Sequence, residues 1–277
     1  MLWSYGDISV VSRLIQPTID IKISGQMVYP PQKIPKIDKL LFNSELIRDL
    51  SIPFIIEVMG MPQSGKTSLI HSFLKKTSDL YQGVRIRLVQ EGARTIPSKY
   101  KYIKYKDPFG FHLMGGIKVF KGILNNMKHS DQFGVIIQDR GMLDWKVFAQ
   151  ALFTKRRVDL KWKEIEEFYL CEFEPFIFPI GGVIMCLTRP EISLEREGPR
   201  KKPGIVMNRK FLKILYEQYL RFHSGILHGD ILLPCYTCLD LECKIEEGLK
   251  KFNDAIDQML QKLFRTIRMG VRKTKLH

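Results

Sequence analysis

One short segment of this chain combines glycine, lysine and threonine in the spacing of a phosphate-binding loop. Gly60-Met-Pro-Gln-Ser-Gly-Lys-Thr67 matches the pattern G-x-x-x-x-G-K-[ST] at every fixed position. In such a loop glycines let the backbone amides wrap around phosphate, the lysine reaches the β and γ oxygens, and the last hydroxyl binds Mg²⁺. We predict nucleotide contacts from Gly60, Met61, Pro62, Gln63, Ser64, Gly65, Lys66, Thr67 and Ser68.

Two further segments place a carboxylate and an arginine after an apolar run. Asp139 and Arg140 follow the run Gly134–Gln138. A single carboxylate there is suited to hold Mg²⁺, directly or through water, and the arginine to neutralise phosphate charge. Glu91 and Arg94 follow a second run, where the carboxylate can accept the proton of an attacking hydroxyl and the arginine can orient it. The structural alternatives are a buried Asp-Arg ion pair and a surface ion pair.

A third segment is a basic loop rich in glycine and proline. It follows Arg189-Pro-Glu and contains Arg196 and Arg200. Loops of this kind can close over a nucleotide and bring guanidinium groups onto the transferred phosphoryl group, although a solvated basic loop is an equal alternative. Asp144 lies one helical turn beyond Arg140 and is predicted either to bind an acceptor or to cap a helix.

The elements that must position these residues alternate between strand and helix. The strand candidates are Phe54–Met59, Val84–Val89, Gly134–Gln138, Val183–Leu187 and Ile231–Leu233. The helix candidates are Thr67–Leu74, Gly116–Met127, Leu143–Leu152, Lys163–Phe173 and Phe211–Phe222, before a last amphipathic helix with an apolar stripe from Ile245 to Leu263. Alternation with strands that are apolar on both sides predicts a three-layer α/β fold, a parallel sheet of about five strands with helices on both faces. The phosphate-loop match falls between a strand and a helix, as its chemistry requires.

Composition excludes several classes of protein. The chain has 277 residues, 45% hydrophobic and 26% charged, which is enough to bury a large core and excludes a disordered or collagenous chain. No apolar stretch is long enough to span a membrane. The start shows no signal-peptide pattern, and five cysteines do not form a disulfide framework. We therefore expect an intracellular protein, cytoplasmic or else nuclear or organellar.

The charge balance is strongly basic and unevenly spread. Lysine and arginine number 44 against 29 acids, a net charge of +15. Two stretches lie outside the motifs above: Lys99–Lys106, where lysine alternates with tyrosine, and a basic helix end and tail at about 262–277. Both could bind nucleic acid, while an exposed strand or loop is the simpler interpretation of Lys99–Lys106. Residues 1–50 are predicted to be an N-terminal extension and 51–277 the main domain.

Cys235, Cys238 and Cys243 invite a zinc interpretation. Zinc normally takes four ligands, and no nearby histidine completes the set. We expect cysteines of the core instead.

In order along the chain, these motifs resemble the deoxynucleoside kinase and thymidylate kinase superfamily of P-loop kinases. The resemblance covers about Pro53 to Leu260. It implies that Gly60–Thr67 binds the donor triphosphate, that Glu91 is the base for a 5′-hydroxyl, that Asp139 and Arg140 serve magnesium and the reacting phosphates, and that Arg196 and Arg200 are lid arginines. Two positions depart from the nucleoside kinase pattern: Gly92 stands where proline is usual, and Gly141 where serine or tyrosine is usual.

The predicted activity is therefore phosphoryl transfer from ATP, with Mg²⁺, to a nucleoside-like or nucleotide-like acceptor. Glu91, Arg94 and Asp144 are the predicted acceptor contacts. One alternative is a kinase acting on polynucleotide ends. Another is a regulatory NTPase that binds nucleic acid or a protein through its basic surfaces. A homodimer is one candidate assembly.

Overall fold

The computed structural model describes residues 54–80, 86–127, 134–155, 180–198, 206–229, 231, 233 and 235–274. Three of the predictions lie outside the described residues: the extension 1–50, the helix over 163–173, and the lid residue Arg200.

A single five-stranded parallel sheet forms the centre of the described structure. Its order is β2-β3-β1-β4-β5. The strands are β1 (Phe54–Gly60), β2 (Ile86–Val89), β3 (Val135–Asp139), β4 (Ile180–Leu187) and β5 (Tyr236–Asp240). The chain leaves β1 for one side of the sheet and later crosses to the other side with β4. Ligands of such sheets bind beyond the carboxyl ends of the strands near this crossing point.

Helices connect the strands. They are α1 (Lys66–Leu80), α2 (Gly92–Thr95), α3 (Ile103–Lys106), α4 (Pro108–Met127), α5 (Met142–Thr154), α6 (Pro190–Glu197), α7 (Arg209–His228) and α8 (Ile245–Thr274), with a 3₁₀ turn at Ser98–Tyr100. Part of the predicted basic tail is thus the end of α8. Among the described helices, none is both long enough and apolar enough to cross a bilayer.

Alternate residues of β1 build two cores. Side chains of a strand point in turn to opposite faces of the sheet. Ile55 and Met59 belong to a cluster with residues of α4, α5 and α7. Ile56 and Val58 belong to a second cluster with residues of α1 and α8. All seven residues of β1 are buried, which explains why its sequence shows no alternation and confirms the three-layer prediction.

The last predicted strand is wrong in position. The structure places β5 at Tyr236–Asp240, paired with β4, and not at Ile231–Leu233. The apolar residues of that run belong instead to the connection after α7, where the amide of Ile231 donates to the carbonyl of Gly225. Ile231 and Leu233 pack against the core from this connection, and burial of a connection leaves the same apolar signal as a short strand.

The cysteines pack on different sides of the sheet. Cys235 is buried in the cluster beside α8, while Cys238 packs against the cluster on the opposite face. Cys186, Cys235, Cys238 and Cys243 are free thiols. Cys235 and Cys238 therefore lie on opposite faces of the sheet, so the two thiols that a zinc site would need together are apart.

Candidate active site

The phosphate-loop residues connect β1 to α1 at the carboxyl edge of the sheet. Gly60 ends β1 with φ +130°, and a Cβ atom there would collide with the backbone carbonyl of Cys186 in β4. Only glycine allows this close approach. The loop then leads into α1, which begins at Lys66; the first amides of a helix lack partners within it and favour anions.

Lys66 is folded back onto its own loop. Its Nζ donates to the carbonyls of Gly60 and Met61 and to Ser64 Oγ, 3.1 Å away. Burial, together with the charge of Arg140, lowers the pKa of Lys66 to about 8, although nearby carboxylates act in the opposite direction. The ammonium group is thus held by carbonyl dipoles until an anion enters the loop.

Thr67 and Asp139 meet across the end of the sheet. Thr67 Oγ1 donates to Asp139 Oδ2 at 2.7 Å, and Arg94 Nη2 lies 3.2 Å from the same hydroxyl. The other oxygen of Asp139, Oδ1, is buried and has no hydrogen-bond partner among the described residues. An orphan carboxylate oxygen beside a hydroxyl suits a hard cation.

Too few protein ligands gather here to hold a metal by themselves. Within the described ranges, no group of three or more His, Cys, Asp or Glu side chains could hold a metal ion. Mg²⁺ is commonly bound by one or two protein oxygens, with water and substrate phosphates completing its shell. The donor set of Thr67 and Asp139 therefore fits Mg²⁺ bound together with a nucleotide.

A chain of ion pairs runs from β2 to α5. Glu91 Oε2 accepts from Arg94 Nε, and its Oε1 lies 3.2 Å from Arg140 Nε. Arg140 Nη1 donates to Asp144 Oδ2 at 2.7 Å. Arg140 has φ +60°, an uncommon conformation for a residue with a side chain, so this position is held by its surroundings. The three predicted residues Glu91, Asp139 and Arg140 are thus brought to one edge of the sheet.

Asp144 is a buried junction. Its Oδ1 accepts from the amide of Gly60 at 2.8 Å and from the hydroxyl of Tyr219 at 2.7 Å. The carbonyl of Gly60 lies 3.1 Å from the same hydroxyl. The N-cap of α5 is Gly141, with no side-chain capping bond, so the capping alternative for Asp144 is wrong. Its role as an acceptor contact stays a prediction, although its side chain does line the cavity described below.

Glu57 is a second buried carboxylate, which sequence reasoning missed. It lies on β1 and accepts from the amides of Leu143 and Asp144, at 3.2 and 2.7 Å, in the first turn of α5. Burial raises the pKa of Glu57 to about 8, despite those amide donors. A Cβ atom at Gly141 would collide with the Glu57 carboxyl group, which explains why glycine stands there in this chain.

Helix α6 contacts the phosphate loop. Arg196 Nη2 donates to the carbonyl of Leu241 at 2.7 Å, and its Nη1 lies 3.4 Å from the carbonyl of Gln63. Gln63 Nε2 donates to Glu197. Arg196 therefore lies beside the loop, as the lid prediction requires, although it is held by backbone carbonyls here.

One cavity of about 770 Å³ lies in front of these residues. Residues of the phosphate loop line it, and so do the charged side chains of Glu91, Arg94 and Arg140. The rest of the lining, which we call the aromatic chamber, is largely aromatic and apolar and includes Phe111, His112, Val119, Trp145, Phe148 and Met207. Enclosure of this size by apolar walls with a few charged groups is typical of small-molecule sites.

His112 packs within the aromatic chamber. Its ring stacks on Trp145 at 4.7 Å and on Phe148 at 5.4 Å between centroids. His112 Nε2 lies 2.8 Å from the Trp145 carbonyl, and Trp145 Nε1 donates to the His112 carbonyl at 2.7 Å. Burial lowers the pKa of His112, so the ring is neutral at pH 7. The reciprocal bonds tie α4 to α5 and form a rigid wall.

Comparison with known proteins places this arrangement in a familiar architecture. No protein-family model and no curated protein matches the chain. Structures of deoxyadenosine kinase from M. mycoides do match. The one with bound dATP has a TM-score of 0.56 and 17% identity over 74% of this chain and 99% of that chain. The one with bound dCTP has a TM-score of 0.57 and 18% identity, and the one with dCMP and dCDP has 0.54 and 16%; both cover 74% of this chain and 100% of theirs.

The chain has a P-loop deoxynucleoside kinase-like fold. The fold expected from the order of the motifs is thereby confirmed, at an identity so low that the likeness extends to architecture alone. The matched share of this chain is 74%, whereas those kinase chains are covered almost completely.

Proposed function

We propose that this protein transfers the γ-phosphoryl group of ATP, with Mg²⁺, to a nucleoside-like or nucleotide-like acceptor. The observation that carries this proposal is one cavity whose lining includes the phosphate loop, the aromatic chamber, and Glu91 and Arg140. Holding donor and acceptor in one enclosed space supplies the proximity that phosphoryl transfer needs. Three solved structures with a similar architecture are of deoxyadenosine kinase.

The donor half of the proposal assigns the triphosphate to the loop. The amides of the first turn of α1 point toward the phosphates, and Lys66 exchanges its carbonyl partners for phosphate oxygens. Thr67 and Asp139, which lie in hydrogen-bond contact, would hold the metal ion. When bound, Mg²⁺ neutralises charge that develops on the phosphate oxygens. Arg196, with Arg200 beyond the described residues, is assigned to phosphate charge on the lid side.

The acceptor half assigns the hydroxyl to Glu91. Glu91 lines the same cavity as the loop and the aromatic chamber, where its carboxylate can accept the hydroxyl proton. Arg94 and Arg140 each bind one oxygen of this carboxylate. Both arginines also line the cavity, where they can neutralise charge on the transferred phosphoryl group. The walls formed by Phe111, Trp145 and their neighbours suit a planar base, because aromatic faces stack on it without requiring hydrogen bonds.

Transfer of label from γ-labelled ATP to a panel of nucleosides and nucleoside monophosphates tests the proposal. We expect acceptor-dependent transfer that Lys66→Ala abolishes. Phe111→Ala should raise the KM for the acceptor and leave ATP affinity unchanged. Phe109→Ala is the matched control, because Phe109 packs against the core from the same helix and does not line the cavity.

The regulatory alternative predicts a different pattern. A regulatory NTPase would release ADP at the same slow rate with and without every acceptor, and such behaviour would overturn the proposal. The homodimer and the intracellular location stay predictions from the sequence.

A further inference from the structure

The segment Lys99–Lys106 exposes aromatic rings and positive charge together. We call Lys99, Tyr100, Lys101, Tyr102, Lys104, Tyr105 and Lys106 the Lys–Tyr surface. It runs from the 3₁₀ turn through a turn at Lys101 and Tyr102 into helix α3, so the interpretation of this segment as an exposed strand is wrong. Tyr100, Tyr102 and Tyr105 are 39%, 55% and 65% exposed. All three rings are thus exposed, and none of them is part of the core.

The lysines of this surface are available for an anionic partner. Among the described residues, none of the four forms an ion pair with an acid. Three of them instead lie over tyrosine rings: Lys99 over Tyr100 at 5.0 Å, Lys104 over Tyr105 at 4.8 Å, and Lys106 over Tyr102 at 5.7 Å. A ligand that presents both negative charge and flat rings would satisfy both kinds of group.

The Lys–Tyr surface adjoins the cavity that contains the aromatic chamber. Lys104 and Tyr105 line the same cavity as Glu91 and Phe111. Helix α3 packs against α4, which forms the aromatic wall. A chain that left the chamber at this side would therefore pass directly over Lys104 and Tyr105.

We propose that the acceptor is the terminal nucleoside of a single-stranded oligonucleotide, whose next nucleotides lie on the Lys–Tyr surface. This rests on the proposed kinase function and names its substrate class. A terminal hydroxyl oxygen forms a bond to the γ-phosphorus of ATP while the bond from that phosphorus to the β–γ bridging oxygen breaks. The hydroxyl proton passes to Glu91, and ADP leaves with the bond electrons. Phosphodiester groups meet the lysines, and bases stack on the exposed tyrosines.

An acidic protein segment or an anionic membrane would match the charge but not the rings. Carboxylates and lipid phosphates have no flat faces to stack on Tyr102 and Tyr105, whereas nucleobases do. The distinction between these partners therefore depends on the tyrosines.

Binding is measured first, without catalysis, by fluorescence anisotropy of a labelled single-stranded 12-mer with hydroxyl ends between 50 and 200 mM salt. Tyr102→Ala/Tyr105→Ala should weaken binding at least tenfold, since stacking contributes about 1–3 kcal/mol per base. Lys101→Glu/Lys106→Glu should weaken binding and reduce the slope of log K against log salt by about 1.4. Lys210→Glu/Lys213→Glu, the same charge change on exposed positions of α7, is the control and should leave binding unchanged.

Transfer is measured next, with γ-labelled ATP and either the 12-mer or a free nucleoside. We expect a higher kcat/KM for the 12-mer, lost in the Lys–Tyr variants and retained in the control. Phosphorylation of nucleosides with no binding or labelling of the 12-mer overturns this inference and leaves the kinase function intact. Binding of the 12-mer with no transfer to any acceptor overturns both. The inference is also overturned if polyglutamate or anionic vesicles displace the 12-mer as well as unlabelled 12-mer does and the tyrosine variants bind the 12-mer normally.

Discussion

ATP binding should draw a proton onto Lys66 near pH 8. In the free protein this lysine is buried against carbonyl groups and Ser64, and burial, with the charge of Arg140, lowers its pKa to about 8. Triphosphate entering the loop places several negative charges beside the ammonium group. These charges favour the protonated form and move the pKa back toward or above its ordinary value.

The size of the uptake follows from the lowered pKa. With a pKa of about 8, the neutral fraction of Lys66 in the free protein is about 0.1 at pH 7, 0.5 at pH 8 and 0.75 at pH 8.5. If ATP restores full protonation, these fractions equal the protons taken up per ATP bound. A lysine with an ordinary pKa would take up fewer than about 0.01 protons at pH 8.

Isothermal titration calorimetry in Tris and in EPPS measures the uptake, because the two buffers differ in ionisation enthalpy. Phosphate buffer is avoided, since phosphate would itself occupy the loop. Glu57 also has a pKa near 8, so the titration is repeated with Glu57→Gln. A proton uptake near zero at pH 8 in both proteins would refute the lowered pKa of buried Lys66. An uptake that disappears in Glu57→Gln alone would assign the proton to Glu57.

Four substitutions give further tests. Lys66→Ala should abolish ATP binding in a fluorescent-nucleotide assay, and unchanged affinity would remove the loop from the donor site. Glu91→Gln should lower acceptor phosphorylation by about 10²–10⁴-fold with ATP affinity nearly intact; full activity would exclude Glu91 as the base. Tyr219→Phe should lower the free energy of unfolding by about 1–3 kcal/mol, read from denaturant titration, because it leaves buried Asp144 one donor short. Glu57 binds its proton more tightly in the folded state, so it stabilises the fold below pH 4.5 and loses this contribution as pH rises to about 8. Glu57→Gln should therefore flatten the fall in Tm over that window, and an unchanged fall would contradict the raised pKa.

The site residues that sequence reasoning found are those whose place in the site follows from nearby elements of the chain. Glu91 and Asp139 follow the ends of two predicted strands by one or two residues, and Lys66 ends the loop that follows a third predicted strand. Since parallel strands end at the same edge, chain position alone predicts that these side chains converge. In the structure Lys66 and Glu91 line the cavity, and Asp139 accepts a hydrogen bond from Thr67, which lines it too.

The missed residues act over long separations in the chain. Glu57 reaches α5 across 86 and 87 positions, and Tyr219 reaches Asp144 across 75. No periodicity or motif spacing encodes such a pairing. Glu57 offered one signal, a carboxylate inside an otherwise apolar strand, because a buried charge needs donors nearby. Tyr219 offered none, since a tyrosine on a helix face packs equally well as a plain aromatic side chain.

The buried junction at Asp144 links the two halves of the proposed reaction. Its carboxylate binds the amide of Gly60, at the start of the donor loop, and Arg140, which also holds Glu91 on the acceptor side. Tyr219 adds a donor from α7, the helix that follows the lid segment. Any movement of α7 therefore acts on the carboxylate that positions both the loop and Arg140. Because a buried carboxylate cannot lose a donor without a large cost, these elements must shift together.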